Sequence, residues 1–353
     1  MSKFDIRSAD QKEIGEFVAK LGEKPFRAKQ IFQWLHGHGA FSLGEMTNLS
    51  HNFRQKIGEN ASLSRANIVQ KQISYDKTTI KYLLELENSI IMNEKTCVES
   101  VLMHHHHGYS LCVSSQAGCR MGCAFCASAK SGFFRNLSAG EMAAQVYEIS
   151  RDADVRISNI VIMGMGEPLD NYDNTLRFIK LISDSEGANI SCRHITLSTC
   201  GITPKIMDLM EENLQITLAI SLHAPNDTIR QKIMPIAKKY PMDELLAAAK
   251  TYAKLRRRIT FEYAMIKGIN DSVENALELA KRIKGIFCHV NLIGINEVDE
   301  SDYKRSSDAA IARFSETLED YGINVTIRRS LGDDIAAACG QLRMAKQKDR
   351  GVK

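Results

Sequence analysis

Between residues 110 and 330 the chain alternates short apolar runs with amphipathic stretches, and this alternation leaves few folds open to it. The runs SLCVSS, ISNIVIMG, HITLST, ITLAISLH, ITFEYAMI, HVNLIGIN and INVTIRRS are rich in β-branched residues and too short for stable helices. Between most of them lie stretches such as AGEMAAQVYEISRD and MDELLAAAKTYAKL, whose apolar residues recur at helical spacing. Strands buried on both faces read as near-continuous apolar runs, and repeated β-α units predict a parallel sheet covered by helices. About six such units fit into 110–330, fewer than the eight that close a barrel. The pattern predicts an α/β fold with an open or partial (β/α)6 barrel.

The preceding residues read differently. Over 9–59 the pattern is helical. Asp10 stands as the cap of a first helix, and Pro25 opens a second, PFRAKQIFQWL, which Gly37 and Gly39 end. Over 66–102 the short runs IVQKQISY, TTIKYLLEL, SIIMN and CVESVLM predict a small β meander. The expected division is an accessory unit at 1–103 (helical, then β), a core at 104–340 and a basic tail at 341–353. A length of 353 residues agrees with about two domains. With 44% apolar and 25% charged residues, the chain is neither disordered nor fibrous. The longest apolar runs, such as Ile160 to Met163, fall far short of the ~20 residues of a membrane helix. The start MSKFDIRSADQKE has no apolar core. A monomeric cytoplasmic protein with no membrane partner is expected. Its net charge of +4 permits an RNA partner without requiring one.

Nine cysteines, an odd number without an export signal, favour metal binding or catalysis over a disulfide framework. Cys119, Cys123 and Cys126 form C-x3-C-x2-C directly after the first strand of the β/α series. Closely spaced thiolates suit zinc or an iron–sulfur cluster. Three on a four-iron cluster leave one iron open to a small molecule; a zinc knuckle or three unrelated buried cysteines are the plainer readings. A second motif, Gly164-Met165-Gly166-Glu167-Pro168-Leu169, ends the run ISNIVIMG. Ser198, Ser221, His223 and Asn296 end further candidate strands, where β/α folds place ligands. Cys339 sits in a small-residue segment, GDDIAAACGQL, after the last strand. His104 to His107 read as an exposed loop joining meander and barrel, and Cys97, Cys192, Cys200 and Cys288 as buried bystanders.

Taken together, SLCVSSQAGCRMGCAFCASAKSGFFRNL, GMGEPLDN, ITLSTCG, AISLHAPND, IMPI and GDDIAAACGQL resemble the RlmN/Cfr family of radical SAM RNA methyltransferases, over nearly the whole chain and more on its RlmN side. The resemblance implies a radical SAM barrel with one 4Fe–4S cluster per chain on Cys119, Cys123 and Cys126. It implies S-adenosylmethionine, two per turnover, contacted by Gly166, Glu167, Ser198, Ser221, Leu222, His223 and Asn296. It makes Cys339 the methyl-carrying cysteine, Cys112 the second catalytic cysteine and Glu99 the proton acceptor. The implied substrates are adenine-2503 of 23S rRNA, methylated at carbon 2, and adenine-37 of certain tRNAs.

That carbon lies between two ring nitrogens and is too electron-poor for polar methyl transfer, so a radical must add to it, and the cofactor supplies the difficult step. By the same resemblance, a methyl first moves to Cys339 and is then activated and joined to the base. A base removes the carbon-2 proton. Cys112 attacks the Cys339 sulfur to free the product as a disulfide forms. A cellular reductant must then restore the cluster and both thiols. Arg328 and Arg329 stand as sources of positive charge for the thiolates. Basic positions able to meet phosphate are Arg27, Lys29, Lys254, Arg256, Arg257, Arg258, Lys346 and Lys348. Two other readings stay open: carbon-8 methylation of the same adenine, as in the Cfr branch, and a non-catalytic Fe–S or RNA-binding protein.

Overall fold

The computed structural model describes residues 3–91, 94–255, 258–295, 303–328, 332–337 and 341–342. Asn296 and Cys339 lie outside them, as do Arg256, Arg257, Arg329, Lys346 and Lys348.

The chain opens with β1 (Phe4–Asp5), then α1 (Gln11–Lys20), α2 (Phe26–Phe32) and α3 (His51–Asn60), and returns in β2 (Ala61–Ser62), which pairs in parallel with β1. Asp10 and Glu13 form a reciprocal capping box on α1, so the acidic residues that marked its start satisfy its first free amides. Beyond Pro25, α2 runs on into a π-helical turn, Gln33–Gly37.

The meander is β3 (Ala66–Ile73), β4 (Thr79–Ile91), β5 (Glu94–His105) and β6 (Gly108–Cys112), each antiparallel to the next. TTIKYLLEL and SIIMN, read as two runs, are one strand. An irregularity between Glu85 and Ile90 absorbs the polar residues that resembled a turn. The histidine run is not a free joining loop. Pairing of β5 with β6 continues to His105↔Gly108, so His106 and His107 form a two-residue hairpin turn. The expected boundary at 103/104 therefore falls inside β5.

A small hairpin, β7 (Gln116–Gly118) with β8 (Phe133–Asn136), brackets the cysteine motif and the short helix α4 (Ala127–Lys130). The β/α series then runs through α5 (Ala139–Ala153), β9 (Ile157–Ile162), α6 (Tyr172–Ser183), β10 (Ile195–Thr199), α7 (Thr203–Glu211) and β11 (Thr217–Ser221). It continues with α8 (Asp227–Ile233), α9 (Met242–Leu255), β12 (Ile259–Met265), α10 (Val273–Ile283), β13 (Cys288–Gly294), α11 (Asp308–Asp320) and β14 (Asn324–Arg328). One ten-stranded sheet results, in the order β14-β13-β12-β11-β10-β9-β6-β5-β4-β3. From β6 to β14 its strands are parallel, joined by helical crossovers as the alternation predicts. The meander is the antiparallel continuation of that sheet, and the N-terminal helices share its hydrophobic core.

Paired residues share a face, and alternate residues along a strand share it too. Lys81 pairs with Val101, Val101 with Cys112, and Cys112 with Val161. Ser221 pairs with Glu262 and Glu262 with Asn291, while Ile293 pairs with Arg328. Stepping by two along each strand puts Lys81, Glu99, Cys112, Ser198, Ser221, Glu262 and Arg328 on one inner face. The opposite face carries Tyr82, Leu84, Val98, Leu111, Ile160, Leu197, Leu218, Phe261 and Val290, all buried. Among the described residues no helix is long and apolar enough to cross a membrane.

Candidate active site

One cavity opens at the carboxyl ends of the parallel strands. Cys119, Cys123 and Cys126 line it from the loop between β7 and α4. Gly164, Gly166 and Glu167 line it after β9, Ser198 from β10, and Ser221 and His223 from the end of β11. Residues far apart in sequence thus meet in one place.

The cysteine loop is tied down at both ends. Cys119 N–H donates to the Gly132 carbonyl at 2.9 Å, and Ala124 N–H to the Ile233 carbonyl at 2.9 Å. Gly118 has φ +73°, and a Cβ there would stand 1.8 Å from the Gly132 oxygen, so only glycine fits. Phe125, next to the last cysteine, packs its ring at right angles to His223 with 5.1 Å between centroids. Burial pushes the Cys119 thiol up to about 12 and Cys123 well above the ordinary thiol range, with the neighbouring cysteines adding to both shifts. Among the described residues no three His, Cys, Asp or Glu side chains form a site for a single metal ion. A four-iron cluster makes a different demand, since each thiolate binds a separate iron. Three soft donors spread along one largely apolar wall suit such a group, and coordination to cationic iron ionises thiols that burial alone keeps neutral.

Glu167 is buried and held by backbone. Its Oε1 accepts Leu169 N–H at 3.0 Å, and its Oε2 accepts Cys200 N–H at 2.7 Å. Burial pushes this carboxyl up, and those two amides act against the shift. Glu167 N–H in turn donates to Gln116 Oε1 at 2.8 Å. At Gly166, φ is +98° and a Cβ would meet the Gln116 Cβ at 2.5 Å, which explains the glycine beside the acid. His223 also has positive φ, 56°, unusual for a residue with a side chain. Its Nδ1 accepts Ala264 N–H at 2.9 Å, leaving the ring proton on Nε2. Burial holds it neutral by lowering its pKa to about 3. The Leu222 side chain points into the core, and only its backbone borders this region, donating to Glu262 and accepting from Arg230.

Three site features escaped the sequence. Cys200, buried as expected, lines the cavity, and its backbone amide orients Glu167. Gln116 fixes the Gly166–Glu167 turn. Glu262, buried on β12, accepts Asn291 Nδ2–H at 2.9 Å, while its Oε2 accepts no hydrogen bond and lies 3.6 Å from Arg328 Nη1. Arg328 is thus faced by a carboxylate. A glutamate in the middle of the apolar run ITFEYAMI was the available signal.

Cys112 ends β6 and is 8% exposed, on the sheet face that carries the cavity residues. Glu99 is on that face too, two positions from the residue opposite Cys112. Its Oε1 lies 3.7 Å from Lys81 Nζ, which also donates to the Ala336 carbonyl at 3.2 Å. The described stretches on either side of Cys339 touch both halves of the region. Asp334 accepts Tyr75 N–H at 2.8 Å, and the Leu342 carbonyl accepts the Ser128 hydroxyl at 2.5 Å. Of the basic positions, Lys29 pairs with Glu186 at 2.9 Å and Arg27 donates to Gln30 and Asn48.

Residues 113–280 match the Radical SAM superfamily, and residues 4–63 match the ribosomal RNA large subunit methyltransferase N-terminal domain. A protein of Clostridium novyi (strain NT), named probable dual-specificity RNA methyltransferase RlmN, is 52% identical over 94% of this chain and 95% of its own length. A protein of the same name from Alkaliphilus oremlandii (strain OhILAs) is also 52% identical, over 97% of this chain and 98% of its own. The crystal structure of a radical SAM methyltransferase from Sphaerobacter thermophilus superposes with a TM-score of 0.91 at 41% identity, covering 96% of this chain and 99% of that one. Identity of this order along the full chain, together with a matching fold, leaves one assignment: the chain belongs to the RlmN family of radical SAM methyltransferases.

Proposed function

We propose that the chain methylates carbon 2 of adenine-2503 in 23S rRNA and acts on adenine-37 of tRNA, through an S-methylated cysteine and a covalent enzyme–RNA adduct. The observation that carries this reading is the meeting of the cysteine triad with Glu167, Ser198, Ser221 and His223 in one cavity, on the sheet face that also bears Cys112 and Glu99. The relatives' names, dual-specificity RNA methyltransferase, supply the substrate class.

In this reading Cys119, Cys123 and Cys126 hold one 4Fe–4S cluster. Gly166, Glu167, Ser198, Ser221, the Leu222 backbone, His223 and Asn296 hold S-adenosylmethionine. When bound, this pair supplies a carbon-centred radical at the methyl to be transferred. Cys339 carries that methyl as a thioether and through it becomes joined to the base. Glu99 takes the proton from carbon 2 as the adduct gives up its odd electron, which the redox group held by the three cysteines would accept. The Cys112 thiolate then attacks the Cys339 sulfur; a disulfide forms as the sulfur–carbon bond breaks, the carbon keeps that bond's electron pair and takes a proton to become the methyl group, and a cellular reductant restores the two thiols. The apolar cavity wall keeps water from the radical.

The test is nucleoside mass spectrometry after anaerobic reaction of the cluster-loaded chain with dithionite, S-adenosylmethionine and a 23S rRNA fragment, and separately with tRNA. 2-Methyladenosine together with 5′-deoxyadenosine is the expected result. 8-Methyladenosine moves the chain to the carbon-8 reading, and neither product overturns the proposed substrate.

A further inference from the structure

We propose that Lys81 is a positioning residue that latches the segment preceding Cys339 to the inner sheet face and, with the same ammonium, holds the Glu99 carboxylate in place. This rests on the reading of Glu99 as proton acceptor and Cys339 as methyl carrier.

Lys81 lies in the middle of β4, and the pairing Lys81↔Val101↔Cys112 puts it on the inner face. Its side chain is only 10% exposed, as is that of Glu99. Lysine is rarely buried so far without a partner, and a carboxylate buried beside it needs a counter-charge. The ammonium has three donors on a compact head, enough to serve two acceptors at once. One contact is Glu99 Oε1 at 3.7 Å. The other is the Ala336 carbonyl at 3.2 Å, 255 positions along the chain.

Three long-range contacts fasten the described residues on either side of Cys339: Asp334 to the Tyr75 amide, Ala336 to Lys81, and Leu342 to Ser128. Of these three, Lys81 is the one whose side chain also meets an assigned site residue. Docking of the segment and placement of the proton acceptor therefore share one side chain. When Glu99 accepts a proton it becomes a neutral carboxyl, while the Lys81 contact to the Ala336 carbonyl, made with an uncharged acceptor, persists. The segment stays docked through the step that precedes release.

The test compares Lys81→Met, Lys81→Gln and Lys81→Arg in the full-length, cluster-loaded chain. Hydrogen–deuterium exchange over 332–342 is measured without RNA. The covalent enzyme–RNA adduct, with Cys112 intact, and methylated product are then measured after reaction. The Met and Gln variants should exchange about tenfold faster over 332–342, as loss of one charged hydrogen bond implies. They should also accumulate adduct that the unaltered chain clears, because proton removal stalls. Lys81→Arg should restore both readings. Unaltered exchange over 332–342 in both neutral variants overturns the latch, and faster exchange with rapid adduct clearance overturns the hold on Glu99. If Lys81→Met loosens the whole chain, Lys81→Gln, which keeps a polar head, decides. Failure of the underlying reading looks different: exchange rises locally, yet no variant, Cys112→Ala included, forms an adduct.

Discussion

Two residues show how much of this site is set by single atoms. Both Glu167 oxygens are occupied by backbone amides, from Leu169 and Cys200. Changing the acid to its amide turns one oxygen into a donor facing another donor, at a residue only 3% exposed. Glu167→Gln should therefore lose about 1–3 kcal/mol of stability, read from urea denaturation. It should also bind S-adenosylhomocysteine more weakly in calorimetry. A variant with unaltered stability would mean that the two amides find other partners. At Cys112 the expected loss is of a different kind. The residue is small, buried and at a strand end, so alanine fits its place. Cys112→Ala should leave iron content and adduct formation intact and block release, so that enzyme bound to RNA builds up on a denaturing gel. Normal turnover by this variant would end the two-cysteine scheme.

At the level of elements, the loop from Gly118 to Cys126 depends on one backbone conformation. A methyl group at Gly118 would drive into the Gly132 carbonyl, which also receives the Cys119 amide. Gly118→Ala should shift the first motif cysteine and reduce bound iron by more than half after reconstitution, with far-UV circular dichroism unchanged because the sheet is built elsewhere. Full iron loading would show that the loop relaxes at little cost. The strands of this sheet were legible because apolar runs bounded by turn residues have few other uses, and the motif cysteines because their spacing is rare. The rest was hidden for physical reasons. Glu87 and Asn88 looked like a turn between two strands, since no local rule says that β5 will carry β4 through them by shifting register. His104 to His107 looked like a loop because histidine has no strong strand preference, whereas pairing with β6 decides the matter. Lys81 and Glu262 carry no local signal of a role, because a charge inside an apolar run acquires its meaning only from partners distant in sequence.

Across the whole molecule, the N-terminal helices are joined to the β/α sheet through a buried polar cluster against α5. Arg7 is fully buried, donates to the Ser64 carbonyl at 2.8 Å and to the Ala40 carbonyl, and lies over the Tyr147 ring. His36 Nδ1 meets the Tyr147 hydroxyl at 2.9 Å, and Glu148 lies beside them, 7% exposed, with its Oε1 accepting no hydrogen bond. Burial raises Glu148 from 4.5 to about 7, with Arg7 and Arg151 acting against the shift. Burial, helped by Arg7, lowers His36 from 6.5 to about 3. Their effects on stability have opposite signs. Between 4.5 and about 7 the folded chain keeps the Glu148 proton that the unfolded chain releases, so stability from this site is full below 4.5 and lost as pH rises to 7. Between 6.5 and about 3 the unfolded chain protonates His36 while the folded chain does not, so stability is lost as pH falls. In the range 4.5–6.5 the two slopes oppose each other, so together these groups add little pH dependence. Glu148→Gln removes one slope, and its urea midpoint relative to the unaltered chain should climb with pH up to about 7 and level off. His36→Gln removes the other, and its midpoint relative to the unaltered chain should fall with rising pH up to 6.5 and level off. If both variants track the unaltered chain from pH 4 to 8, roughly the span of these titrations, the cluster does not couple the helices to the sheet through charge. The join would then be held by the apolar packing of Ile31, Phe32 and Leu35 against the common core.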